Sequence, residues 1–185
     1  MNGSPALRIY LTGFMGSGKS TVGPLLAARL GYEFVDLDAL IEAKEGKAVP
    51  GIFRERGERD FRALERRELG LLSSRERIVV ATGGGVLTDQ GSMEIIRGSG
   101  LMVYLEVPVE VLIDRLRGMR GRPMIAADDG TPLGDEQLRE RIGSLLRSRE
   151  FLYRRAGIIV DAGVQSPLET VSAILKLLRA DPGSP

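Results

Sequence analysis

The chain has 185 residues and 43% hydrophobic content, which suits one globular α/β domain and excludes a disordered polymer. Lys and Arg number 26 against 25 Asp and Glu, and a net charge of +1 argues against a nucleic-acid or membrane-surface partner. Cysteine and histidine are both absent, which removes disulfides, thiolate nucleophiles, cysteine metal sites and the imidazole base.

Acid–base chemistry therefore falls to carboxylates, lysine or tyrosine. No apolar run approaches the ~20 residues that span a bilayer. Met1 to Ala6 lack the apolar core of a secretion signal. The expectation is a cytoplasmic enzyme built as a single domain over 1–185, with a loose tail at 181–185.

Short strands rich in Val, Ile and Leu are predicted at 7–12, 33–36, 78–82, 101–106 and 158–161, alternating with helical stretches. That alternation is the pattern of a parallel sheet with crossover helices. Ligands of such sheets gather beyond the carboxyl ends of the strands, so those ends select the residues of interest.

The first strand leads into Gly13-Phe14-Met15-Gly16-Ser17-Gly18-Lys19-Ser20, which reads G-x-x-x-x-G-K-[ST]. Glycines let successive N–H groups turn toward an anion. Lys19 would reach the β- and γ-phosphates, and the Ser20 hydroxyl would take one position on Mg²⁺. Thr21 to Leu30 carries Leu25, Leu26 and Leu30 at helical spacing and stops at Gly31, so a helix N-terminus faces the same phosphates.

The second strand ends in Phe34-Val35-Asp36-Leu37-Asp38. From the residues alone, Asp38 either caps the next helix with Asp36 as a solvated loop acid, or the pair works on metal and acceptor. Beside a phosphate loop the second reading gains: one Asp holds water on Mg²⁺, the other takes the acceptor's proton. Residues 49–74 are mostly helical, with Gly57 between two pieces. There Arg62 and Glu65 read as a surface ion pair worth well under ~1 kcal/mol.

The third strand runs into Thr82-Gly83-Gly84-Gly85, either a tight turn or a backbone anion site. Arg117-Gly118-Met119-Arg120-Gly121-Arg122-Pro123 then opens a long polar segment, which reads as a solvated basic turn or as a lid supplying positive charge. Asp135 is the expected cap of a helix reaching Tyr153, whose Arg147, Arg149, Arg154 and Arg155 read mostly as surface charge. A loop at 161–167 precedes a closing helix from Leu168 to Leu178.

Taken together, Gly13 to Ser20, Phe34 to Ile41, Ile52 to Glu65, Gly83 to Gly85, Arg122-Pro123 and Arg149-Glu150-Phe151-Leu152-Tyr153 resemble the bacterial shikimate kinases, in order and at the family's spacing from residue 7 to 178. The resemblance implies a three-layer P-loop fold of the nucleoside-monophosphate-kinase type, with a five-stranded parallel sheet ordered 2-3-1-4-5 and a mobile lid. It implies phosphoryl transfer from ATP to the 3-hydroxyl of shikimate with Mg²⁺ as cofactor, by a monomer with no nucleic-acid or membrane partner.

It assigns ATP to Gly16, Ser17, Gly18, Lys19, Ser20 and Thr21, with Arg115 and the loop near Pro167 around adenine, and Mg²⁺ to Ser20 and, through water, Asp36. Asp38 is implied as base and hydroxyl contact, Arg62 and Arg149 as the grip on the acceptor's carboxylate with Gly83, Gly84 and Gly85, and Phe53 and Phe61 as ring walls. Arg122 is implied as the lid arginine, with Arg117 and Arg120 as competitors for that role. The shikimate-binding region spans about 34–65 and the lid about 117–134, where the chain is several residues longer than usual near Ala126 to Gly134. A gluconate-kinase-like enzyme is the close rival. A GTPase switch is excluded because the chain has neither N-K-x-D nor D-x-x-G.

Overall fold

The computed structural model describes residues 8–117, 123–125, 131 and 133–180. Five parallel strands form one sheet in the order β2-β3-β1-β4-β5: β1 (Arg8–Thr12), β2 (Glu33–Asp36), β3 (Ile78–Ala81), β4 (Leu101–Glu106) and β5 (Ile158–Asp161). The helices are α1 (Lys19–Leu30), α2 (Leu37–Glu45), α3 (Val49–Leu72), α4 (Gln90–Ser99), α5 (Val109–Leu116), α6 (Asp135–Tyr153) and α7 (Pro167–Ala180). The strand placement and order match the sequence expectation. Position 7 and the tail at 181–185 lie outside the described residues.

The layering follows from handedness. The crossover from β1 to β2 travels one way along the sheet, and those from β3 to β4 and β4 to β5 travel the other way. Right-handed connections therefore put α1 on one face and α4, α5 and α6 on the opposite face. α7 packs on α1, and α3 packs on α4. With both faces covered, strands need no polar side. Accordingly Ile9, Tyr10, Leu11, Ile78, Val79, Val80, Val103 and Leu105 are all fully buried.

Four local expectations need correction. Asp36, not Asp38, caps α2: its carboxylate accepts from the N–H groups of Asp38 and Ala39, and Asp38 sits inside the first turn. The cap of α6 is Gly134, so Asp135 is the first helical residue. β3 stops at Ala81, although Thr82 still donates to the Leu11 carbonyl through both its N–H and its hydroxyl. α7 begins at Pro167, where a missing N–H costs nothing, and Ser166 and Glu169 cap it reciprocally. Gly57, at φ 78°, breaks α3 as expected. The sequence reading placed no helix at α4, which Asp89 caps through the Ser92 N–H.

Candidate active site

The carboxyl ends of β1, β2, β3 and β5 lead into one cleft of about 980 Å³. Its walls come from the phosphate loop after β1, Asp36 and Asp38 after β2, Phe53, Phe61, Arg62 and Glu65 of α3, the glycine turn after β3, and Arg149 of α6. Arg115, Gln165 and Pro167 close the far end. The phosphate loop and the glycine turn are therefore parts of one surface.

The loop is built for an anion. Gly16 and Gly18 have φ of 79° and 95°, a region closed to most side chains, and Gly18 starts α1 without a side-chain cap. The helix N-terminus thus keeps N–H groups and partial positive charge for a ligand. The Lys19 ammonium folds over its own loop, donating to the carbonyls of Gly13 and Phe14 at 2.8 and 2.9 Å. A phosphate entering the loop competes for that ammonium.

The Ser20 hydroxyl donates to Asp36 Oδ2 at 2.6 Å, while Asp36 Oδ1 serves the α2 cap. A hydroxyl and a carboxylate oxygen at one point fit the oxygen-only preference of Mg²⁺. Among the described residues no group of three or more acidic side chains could form an all-protein cage. A Mg²⁺ shared with substrate phosphates needs only one or two protein oxygens.

The end of the cleft around Arg62 is more buried than its sequence suggests. Glu65 is fully buried, and the Arg62 side chain is only 11% exposed. Arg62 donates to Glu65 Oε2 at 2.5 Å and to Glu58 at 2.8 Å. The guanidinium also lies 5.9 and 5.7 Å from the ring centres of Phe53 and Phe61, which contact each other at 4.7 Å. A surface ion pair is therefore the wrong description. Burial alone would lower the pKa of Arg62, but Glu65 and Glu58 raise it, so the cation is secure.

The glycines after β3 are required by approach, not by a turn angle alone. A Cβ on Gly85 would sit 2.2 Å from the Arg62 guanidinium. A Cβ on Gly83 would sit 2.5 Å from Glu65 Oε1 and 2.9 Å from Asp38 Oδ1. The turn thus lays its backbone against both acids and the arginine. Among the described residues, no group accepts from the N–H groups of Gly83, Gly84 or Gly85. Arg149, expected mostly as surface charge from its helix, is 5% exposed and lines the same end.

Glu65 was missed as a site residue. Burial pushes its carboxyl up to about 7, against the lowering pull of Arg62, with Asp38 and Asp89 adding to the rise. Between its ordinary value and about 7 the folded protein holds a proton that the unfolded chain has lost. Glu65 stability is therefore present at low pH and lost as pH rises through that window, at no more than about 1.4 kcal/mol per pH unit for one proton. Glu65→Gln is expected to remove this dependence. Denaturant titrations of both proteins at pH 5, 6, 7 and 8 check it: parallel curves would contradict it.

At the other end, Arg115 donates to the carbonyls of Gly16, Ala162 and Gly163 at 3.1, 3.0 and 3.1 Å, tying the phosphate loop to the loop before Pro167. Thr21 lines the cleft at the start of α1. Arg117 faces away, paired with Asp135 at 3.1 Å and not lining the cleft. Arg120 and Arg122, and most of the lid expected at 117–134, lie outside the described residues. Pro123 to Ile125 form a short 3-10 turn that buries Ile125 and brings Met124 to the cleft. No helix among the described residues is long and apolar enough to cross a membrane.

Comparison with known proteins agrees with this geometry. The shikimate kinase family model matches residues 15–179. A shikimate kinase of Chlorobium chlorochromatii is 45% identical over 97% of this chain and 94% of its own length. The structure of a shikimate kinase from Acinetobacter baumannii in complex with shikimate superimposes with a TM-score of 0.88, at 35% identity and covering 97% of each chain. A gluconokinase from Sinorhizobium meliloti shares the fold alone, with a TM-score of 0.57 at 23% identity over 95% of this chain and 93% of that one. On these matches, spread across nearly its whole length, the chain belongs to the shikimate kinase family.

Proposed function

We propose that this chain transfers the γ-phosphoryl group of ATP to the 3-hydroxyl of shikimate, giving shikimate 3-phosphate and ADP. One observation carries the reading: a single cleft holds a phosphate loop at one end and, at the other, two largely buried arginines beside a glycine turn and a carboxylate. Family membership supports the same assignment.

In this reading Gly16, Ser17, Gly18, Lys19, Ser20 and Thr21 cradle the phosphates, and Arg115 and Pro167 flank the base. Arg62, Arg149 and the Gly83–Gly85 backbone grip the acceptor's carboxylate, which guanidinium forks and N–H groups match well. Phe53 and Phe61 wall its ring. Asp38 faces the hydroxyls. Ser20 and Asp36 would hold Mg²⁺, which when bound neutralises charge on the β- and γ-phosphate oxygens.

The chemical step asks mainly for placement and charge. The acceptor oxygen attacks the γ-phosphorus in line, the bond to the β-phosphate oxygen breaks, and the hydroxyl proton passes to the Asp38 carboxylate. Lys19 balances charge on the leaving ADP, and Arg122, on the lid proposed for about 117–134, does so on the transferring group.

We read the chain as one kinase domain, with its acceptor region at about 34–65, acting as a cytoplasmic monomer. ADP release with shikimate, quinate, gluconate and nucleoside monophosphates offered in parallel tests the function. Shikimate is expected to give the fastest turnover. Silence with shikimate and brisk turnover of gluconate would replace the assignment with the gluconate-kinase-like reading.

A further inference from the structure

Tyr153 ends α6 in full burial, at 1% exposure, and no step of the proposed reaction uses it. Its hydroxyl has one proton and two lone pairs. The proton goes to the Gly84 carbonyl, and Arg149 stands one helical turn back along α6. The Tyr153 ring stacks on Tyr104 of β4, with centroids 5.2 Å apart and planes 27° from parallel, so the hydroxyl is fixed by packing.

The glycine turn needs such an anchor. It has no side chains to hold it, and a triple glycine leaves the backbone its widest freedom. The carbonyl of Gly83 accepts from the Val86 N–H at 3.2 Å, and that of Gly85 from the N–H and hydroxyl of Thr88 at 3.0 and 2.7 Å. Both anchors are local. Gly84 is bound through its carbonyl to another layer of the fold, by Tyr153. Its other side packs on the phosphate loop, where an added Cβ would lie 3.3 Å from the Met15 nitrogen.

We propose that Tyr153 is a positioning residue: its hydroxyl pins the middle carbonyl of the Gly83–Gly85 turn to α6, one helical turn from Arg149, so that the backbone and side-chain halves of the carboxylate grip hold one geometry. The inference rests on the reading of that end of the cleft as the acceptor-carboxylate site. Burial pushes the Tyr153 hydroxyl up to about 12, although Arg149 and Arg62 pull the other way, so it remains a donor at neutral pH.

Tyr153→Phe removes one oxygen and keeps the stacked ring. Steady-state kinetics of this variant are compared with wild type and with Tyr10→Phe, whose hydroxyl bonds Ser99 at 2.7 Å and does not line the cleft. Loss of one hydrogen bond to a charged site predicts a shikimate KM raised about tenfold. The ATP KM is expected to stay within about twofold, a change too small to mark a lost contact. For shikimate methyl ester, which lacks the anion, the rise is expected to vanish. Tyr10→Phe is expected to change neither KM.

A lower melting temperature in Tyr153→Phe with an unchanged shikimate KM, or an equal rise for the ester, would reduce Tyr153 to a structural residue and overturn the proposal. Should that variant not fold, Tyr104→Leu, which frees the ring but keeps the hydroxyl, is expected to raise the shikimate KM in the same sense, and an unchanged KM there overturns it. Wild-type protein that does not phosphorylate shikimate would instead refute the functional reading, and this inference with it.

Discussion

Asp38→Asn is expected to lower kcat about a thousandfold, in the middle of the range for a lost general base. The substitution keeps the shape of the side chain. It removes the charge and the ability to take a proton. Asp38 sits in the first turn of α2, beside the glycine turn, where an acid gains about 0.3–1 kcal/mol from the helix N-terminus. Asp36 still caps the helix in the variant, because the cap belongs to Asp36 and not to Asp38. Glu65 lies against the same glycine, with its other oxygen held by Arg62 at 2.5 Å. Single-turnover phosphorylation and thermal melting separate the two effects. A kcat within about threefold of wild type, less than ~1 kcal/mol of barrier, would remove Asp38 from the chemistry.

Arg62→Ala is expected to raise the shikimate KM about a hundredfold, the scale of a lost charge-assisted pair of about 3 kcal/mol. The ATP KM is expected to change little, because Arg62 touches Glu65, Glu58, Phe53 and Phe61 and no part of the phosphate loop. The same change strands Glu65 in a buried site without its partner. Breaking a buried pair this way costs roughly 3–5 kcal/mol when the survivor stays charged. Glu65 is already pushed up to about 7, so at lower pH it takes a proton and the cost shrinks. The destabilisation of Arg62→Ala is thus expected to be larger at pH 8 than at pH 5. Arg62→Lys restores charge but not the fork, so partial rescue is expected. Equal weakening of both substrates would mark Arg62 as a scaffold residue only.

The sequence carried the fold because its signals are local. Alternating apolar runs, a phosphate-loop motif and Gly31 at φ 67° after α1 each act within a few residues. The same holds for the D-x-D after β2, although which Asp caps α2 depends on a two-residue shift of the helix start. Burial of charge was not legible. Arg62 and Glu65 lie in the run Arg-Glu-Arg-Gly-Glu-Arg-Asp-Phe-Arg-Ala-Leu-Glu, which reads as a solvated face. They are covered by the glycine turn some twenty positions later in the chain, and no periodicity encodes that cover. Arg149 was hidden for the same reason among four arginines near the end of α6, and only the family motif singled it out. Tyr153 closed that motif without a reason until its hydroxyl was seen on Gly84. Charged residues that flank a glycine turn in space, and not in sequence, are what single-chain reading misses.

The most direct measurement of the central claim is a crystal structure of the protein with ADP, Mg²⁺ and shikimate bound together. The account predicts the β-phosphate on the Gly16–Ser20 backbone, the shikimate carboxylate between Arg62 and Arg149 at the Gly83–Gly85 turn, and the 3-hydroxyl turned to Asp38 and the open side of the ADP. Shikimate bound elsewhere, or with its carboxylate toward the phosphate loop, would contradict it.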